Sequence, residues 1–372
     1  MRRVWGGLKF IGRWLGPALF GLGVLVLVLL PTPFLDLSTW PLLAGVIVSA
    51  IAWFFTRSPE RKRSRTILLA IALTAFVFYG WRYLDDHRGY SYHQETVSLD
   101  NRGAHLVGTL YLPDRPGKVP GMVWVHGSGR ATRLQFTPFV EHFARLGYAV
   151  YILDKRGVGE STGHYEGDNP LCPGNVDLLG SDDSAALSLL AKRPEVRADA
   201  VGFFGGSQAG WIMPRAAVLN GHAAFMLLLS GPTISAYQEL RYENLRYGPP
   251  PNNTPSMLEI LRQGGRGFPK GITSDQAYAL SQKSTEIFPC PDFDPTVDLR
   301  ALNIPGLWLL GDRDWVTPPG PTARKLDELR QLGKPYQYRM IPGANHAMIL
   351  GPKKLVLDTI DTWLAQATKP AK

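Results

Sequence analysis

From residue 94 to the C-terminus, short apolar runs alternate with amphipathic stretches, and this alternation most restricts what the chain can fold into. ETVSLD and LVGTLYL switch between polar and apolar residues like half-buried antiparallel strands. PGMVWV, YAVYILD, AVGFF, AAFMLLLS, IPGLWLLG and YQYRMI are predominantly apolar, as strands covered on both faces are. Helical stretches separate them: near Pro138–Leu146, then SDDSAALSLLAK, QAGWIMPRAAVL, PTARKLDELRQL and LVLDTIDTWLAQ. The pattern predicts an α/β fold with a mostly parallel sheet, helices on both faces and the two leading strands as an antiparallel edge. One long insert, about Gly231 to Leu302, interrupts the alternation. It is rich in Pro, Gly and Tyr and reads as an irregular cap or lid.

Chemistry is concentrated at the ends of the predicted strands. AVGFF runs into Gly205-Gly206-Ser207-Gln208-Ala209-Gly210 and then a helix. A nucleophile elbow needs small residues two places before and after its serine, because the backbone there turns sharply. Ala209 replaces the usual glycine of G-x-S-x-G. A serine nucleophile requires a base and a carboxylate to orient that base. IPGLWLLG ends in Gly311-Asp312-Arg313-Asp314, and YQYRMI ends in Pro342-Gly343-Ala344-Asn345-His346. Ser207, Asp314 and His346 therefore emerge at the carboxyl edge of a parallel sheet, where ligands bind. Their order, Ser then Asp then His, is that of α/β-hydrolases. Two amides must also face the developing oxyanion. The expected donors are the backbone N–H groups of Gln208 and Ser128, with Gly127 as the alternative in His126-Gly127-Ser128-Gly129. His126 itself is expected to be structural.

Taken together, VHGSG, Asp154-Lys155-Arg156-Gly157-Val158-Gly159-Glu160-Ser161-Thr162-Gly163, GGSQAG, GDRD and NH resemble the α/β-hydrolase superfamily over about residues 94–368. More narrowly they resemble its bacterial serine-aminopeptidase-like and EstD-like esterase branch. The resemblance implies an acyl hydrolase that needs no cofactor, with Asp314 as the acid and Asp312 as the fallback. It implies structural roles for Asp154 and Arg156. Two features depart from it: Gly206 and Gln208 flank the serine where this branch often has His and Glu, and the N-terminal apolar runs lie outside the common domain. The expected substrate is a small or lipid-like acyl compound, with esterase chemistry ahead of thioesterase or peptidase chemistry. Glu239, Glu243 and Glu259 in the insert are candidate contacts for a peptide amine but read better as surface charge. A non-catalytic binding module on the same fold is the rival from another class.

The first 90 residues have a different character. Residues 14–35 and 37–56 are free of charged side chains, and so are 66–81. The first two runs are long enough for a helix to cross ~30 Å of hydrocarbon, and the third extends through Leu84. The sequence therefore predicts a membrane anchor over residues 1–90 with spans at 14–35, 37–56 and 66–84. The catalytic domain would then occupy 91–372. Arg2, Arg3, Lys9 and Arg13 precede the first run, and RSPERKRSR separates the second from the third. By the positive-inside rule both face the cytoplasm, which puts the hydrolase outside.

The whole chain carries a net charge of +9, which invites a nucleic-acid reading. Of this, +7 falls within residues 1–90 and +2 in the rest, so a basic groove in the main domain is disfavoured. Two cysteines cannot staple a small disulfide scaffold. Cys172 and Cys290 pair in an oxidising compartment or remain two free thiols; their spacing does not decide between these. No metal-ligand spacing and no phosphate-binding glycine loop is present.

Overall fold

A computed structural model describes residues 89–165, 172–247, 272–348 and 353–369. The chain divides into two units, Met1–Gly89 and Tyr90–Lys372, and apart from Gly89 the described residues belong to the second. The three expected spans lie outside the described residues. Among the described residues no helix is long and apolar enough to cross a membrane.

Eight strands form one sheet in the order β1-β2-β4-β3-β5-β6-β7-β8. β1 (Tyr92–Asn101) and β2 (Ala104–Pro113) form an antiparallel hairpin. Its turn is made by Arg102 and Gly103, both at positive φ, which matches the twist of the flanking strands. β2 also runs antiparallel to β4 (Ala149–Leu153). All other pairings are parallel, among β3 (Val119–Val125), β4, β5 (Val196–Gly206), β6 (Met226–Leu229), β7 (Gly306–Gly311) and β8 (Tyr336–Ile341).

Side chains alternate across a strand, so adjacent apolar residues enter different cores. Val123, Tyr151, Phe203 and Trp308 join one cluster; their successors Trp124, Ile152, Phe204 and Leu309 join the other. The first face is covered by α2 (Pro173–Ala191), α3 (Ala209–Asn220) and α7 (Pro319–Gln331). The second is covered by α1 (Thr137–Leu146) and α8 (Lys353–Ala367). Burial on both sides is why β3, β4, β6 and β7 are apolar almost throughout, whereas the edge strand β8 exposes Gln337 and Arg339.

Two details differ from the sequence expectation. α2 begins at Pro173, well before Ser181. Pro-Gly reads as a loop signal, but proline is well tolerated at the first position of a helix, where its missing N–H has no intrahelical partner. The insert is also less irregular than its composition suggests. It contains α4 (Ala236–Tyr247), α5 (Ser274–Ser281) and α6 (Thr296–Ala301). α5 starts at a capping box in which the Thr273 hydroxyl accepts from the Gln276 amide and the Gln276 side chain accepts from the Thr273 amide.

Cys172, next to the first turn of α2, forms a disulfide with Cys290 in the insert, their Cα atoms 5.7 Å apart. The insert is fastened around it. Tyr237 stacks on Phe288 with ring centroids 4.1 Å apart and donates its hydroxyl to the Cys290 carbonyl. The Trp211 indole on α3 donates to the Ile234 carbonyl at 3.0 Å.

Candidate active site

Ser207 sits between β5 and α3 with φ +56°, the left-handed region that side-chain-bearing residues rarely adopt. Its N–H is satisfied by the Leu229 carbonyl of β6 at 3.0 Å, and its carbonyl accepts from Gly210 at 2.8 Å. The turn tolerates Ala209 because Gly205 gives way. A Cβ on residue 205 would lie 2.8 Å from the Ala209 methyl and against the Val125 carbonyl. One small residue of the pair must therefore be glycine.

Asp314 follows β7 in a tight turn and is 2% exposed. Its Oδ1 accepts from the amides of Val316 at 2.8 Å and Thr317 at 2.9 Å. His346, in the turn after β8, donates Nδ1–H to the same carboxylate, 2.9 Å from Oδ2 and 3.1 Å from Oδ1. That contact fixes the tautomer and leaves Nε2 as the basic nitrogen. Asp312 does something else: its Oδ1 accepts from the Gly343 amide at 2.7 Å, stapling the turn that leads to His346. Of the two acids, Asp314 touches the histidine. β5, β6, β7 and β8 are successive parallel neighbours, so Ser207, Asp314 and His346 all lie at the carboxyl edge of the sheet.

The loop after β3 lies against the elbow. A Cβ on Gly127 would come 3.3 Å from Ser207 Cβ and 3.9 Å from its Oγ. The backbone amides of Ser128 and Gln208 meet no acceptor among the described residues. His126 donates Nε2–H to the Leu153 carbonyl at 2.6 Å, while its buried Nδ1 has no hydrogen-bond partner among the described residues. Burial lowers its pKa to about 4, so the ring is neutral. A cavity of about 20 Å³ beside it, also lined by Lys155, Asp182 and Asp183, has room for one water.

The Asp154–Gly163 segment braces this region. Asp154 accepts from the Arg133 amide at 2.7 Å and the Glu160 amide at 3.0 Å, and pairs with the Arg133 guanidinium. Arg156 grips Asp182 with two N–H groups, at 2.6 and 3.0 Å. Among the described residues neither side chain hydrogen-bonds Ser207, Asp314 or His346.

Two residues outside the expected set belong to the site. The Tyr242 hydroxyl, on α4 of the insert, donates to the Asp314 carbonyl at 3.0 Å and so ties the insert to the acid loop. Lys155, 7% exposed, reaches the carbonyls of Gly127 and Gly129 and the side chain of Gln208. No sequence spacing signals either contact. Glu239 needs correcting as well: it is buried, 4% exposed, and not surface charge. Desolvation, together with like charge on Glu243 and Asp314, pushes its carboxyl well above the usual range. Glu259 lies outside the described residues.

A serine elbow, a buried acid–histidine pair and a glycine loop at one edge of a mostly parallel sheet define an α/β-hydrolase architecture. The chain belongs to the alpha/beta hydrolase family, whose sequence pattern it matches over residues 122–359. It is 27% identical over 150 residues to the uncharacterized peptidase YtmA of Bacillus subtilis, covering 39% of this chain and 54% of the relative. It is 34% identical over 67 residues to the quorum-quenching protein AidA of Acinetobacter baumannii, covering 18% and 22% respectively. The chain thus matches less than two thirds of the length of either curated relative. Among solved structures, the acylaminoacyl peptidase of Pyrococcus horikoshii superposes with a TM-score of 0.54 at 16% identity, over 79% of this chain and 44% of that one. DcsB, solved with a substrate analogue, superposes with a TM-score of 0.51 at 16% identity, over 75% and 100%. At these identities the likeness is one of fold.

Proposed function

We propose that this protein is a membrane-anchored serine hydrolase that cleaves carboxylic esters through Ser207, His346 and Asp314. The observation that carries this reading is the Asp314–His346 hydrogen bond at the same sheet edge as Ser207 in its left-handed turn. In the proposed reaction His346 Nε2 takes the Ser207 proton as Oγ attacks the acyl carbonyl. Asp314 holds the ring and stabilises the imidazolium that forms. The amides of Gln208 and Ser128 receive the oxyanion. His346 then protonates the leaving alcohol, and water attacks the acyl-enzyme by the same route. A serine at this position disfavours dehalogenase or epoxide-hydrolase chemistry, which places an aspartate there in related families.

Peptidases and other hydrolases share this fold, and the same constellation serves peptides and thioesters. Esters are favoured by the burial of Glu239, 4% exposed, which withdraws it from the surface as a contact for a substrate ammonium. The test is a chain-length panel of chromogenic esters on wild type and Ser207→Ala. Cleavage lost with Ser207→Ala is expected; no cleavage by wild type, or cleavage that survives the substitution, refutes the mechanism.

The anchor rests on the uncharged runs at 14–35, 37–56 and 66–81, the last extended to Leu84 with Arg82 snorkelling to the interface, and on the basic residues that flank them. An extracytoplasmic hydrolase domain agrees with the Cys172–Cys290 disulfide, since such bonds persist in oxidising compartments. Reporter fusions after Tyr90 are expected to report an extracytoplasmic location. A cytoplasmic signal refutes the topology.

A further inference from the structure

We infer that Lys155 is a positioning residue of the oxyanion hole, a cationic clamp that aims and polarises the peptide joining Gly127 to Ser128. The inference rests on the serine-hydrolase reading above. It begins with the cost of burying an ammonium, which is large unless its protons find acceptors. Lys155 Nζ has three N–H donors. Hydrogen bonds reach the Gly127 carbonyl at 2.5 Å, the Gly129 carbonyl at 3.1 Å and Gln208 Oε1 at 3.0 Å. All three acceptors belong to the segments that supply the expected oxyanion donors.

Peptide geometry turns this contact into direction. The Gly127 carbonyl and the Ser128 N–H share one planar trans unit and point to opposite sides of it. Holding the carbonyl towards Lys155 therefore turns the Ser128 N–H the other way, and the Gly127 side of this loop packs on Ser207. The third bond ties the Gln208 side chain, next to the nucleophile, to the same ammonium. One charge thus links the two segments whose amides must converge. A cation on the carbonyl oxygen also polarises the peptide and strengthens the N–H at its far end. The backbone of Lys155 is itself fixed, its N–H donating to Ala131 at 3.1 Å and its carbonyl accepting from Val158 at 2.9 Å. The lysine stem thus starts from a point fixed within its own loop.

A residue acting this way affects the transition state more than the bound ester. Full-length wild type, Lys155→Met and Ser207→Ala are compared on the best-cleaved ester. Lys155→Met keeps the apolar stem and removes the charge. It is expected to lower kcat by about 100-fold, in the range of a lost oxyanion donor, with KM within about threefold. Affinity for a trifluoromethyl ketone, which forms an oxyanion adduct with the serine, should fall by a similar factor. Affinity for the matching non-fluorinated ketone should not change. A merely structural lysine would weaken both ketones or neither. If Lys155→Met does not fold, Gln208→Met removes one of the three acceptors; a loss of about tenfold in kcat and in fluoroketone affinity is expected. Wild-type kcat and fluoroketone affinity in the folded variant overturn the clamp while Ser207→Ala remains inactive. Ester cleavage that persists in Ser207→Ala overturns the serine mechanism itself.

Discussion

His346 Nδ1 lies 2.9 Å from Asp314 Oδ2, while the other carboxylate oxygen is held by the amides of Val316 and Thr317. The acid is oriented from both sides, and its geometry does not depend on the histidine. Asp314→Asn should fold normally but allow the wrong imidazole tautomer. Its kcat on an ester is expected to drop by roughly 10⁴-fold. Asp312→Asn retains an acceptor for the Gly343 amide and should stay within about threefold of wild type. Steady-state kinetics on the two variants decides which acid serves; the reverse ranking would reassign it.

The disulfide joins Cys172 and Cys290 across a sequence separation of 118. Cross-links of this span restrict the unfolded chain, so Cys172→Ser with Cys290→Ser should lower unfolding stability by roughly 2–5 kcal/mol. Denaturant titrations followed by tryptophan fluorescence measure the difference. In native wild type a thiol reagent should find nothing to label, because no free cysteine is present.

His126 is neutral in the fold, with its pKa lowered to about 4 by burial. The unfolded histidine protonates near 6.5. Between those values the unfolded state binds a proton that the folded state refuses, so stability falls as pH drops from about 6.5 to 4. His126→Gln can still donate to the Leu153 carbonyl and removes this term. Its loss of stability from pH 7 to pH 4.5 should be smaller than that of wild type by about 2 kcal/mol, read from urea midpoints.

Glu239 has the opposite sign. Its folded pKa is raised, so stability falls as pH rises above the unfolded carboxylate value. Glu239→Gln is expected to be more stable than wild type at pH 7 while keeping ester hydrolysis within about threefold. A selective loss of cleavage on substrates with a free amino terminus would instead assign Glu239 to a peptide-binding site.

Gly205→Ala probes the elbow. Its new methyl would meet the Ala209 side chain and the Val125 carbonyl. Overpacking of this kind costs roughly 1–3 kcal/mol, and the turn should relieve it by shifting Ser207. Thermal unfolding and ester kinetics should both decline. Gly205→Ala combined with Ala209→Gly should recover part of each.

The strand-end positions of Ser207, Asp314 and His346 were legible because each follows an apolar run and strand direction then dictates the edge. The two faces of the core were legible for the same reason. Contacts between segments far apart in the chain were not. Lys155 looks like one residue of a loop motif until the fold brings Gly127 and Gln208 to it. Tyr242 looks like one tyrosine among several until its hydroxyl meets Asp314. The helices of the insert were hidden by its Pro, Gly and Tyr content, although the Thr273–Gln276 capping box was locally readable. Pairing of Cys172 with Cys290 is a matter of distance, on which spacing is silent.

The insert leaves the sheet after Leu229 and returns at Gly306, and these ends belong to adjacent parallel strands paired from Met226↔Gly306 to Leu229↔Leu309. Because the strands are parallel, Leu229 ends at the carboxyl edge of the sheet and Gly306 begins at the opposite one, so the connection crosses back along the strands, and closing such a loop costs little more as it lengthens. The segment between them can therefore be enlarged, trimmed or exchanged while the strand ladder keeps its register. On the proposed reading, substrate range would in this way be carried by a replaceable module and reaction chemistry by the scaffold that holds it.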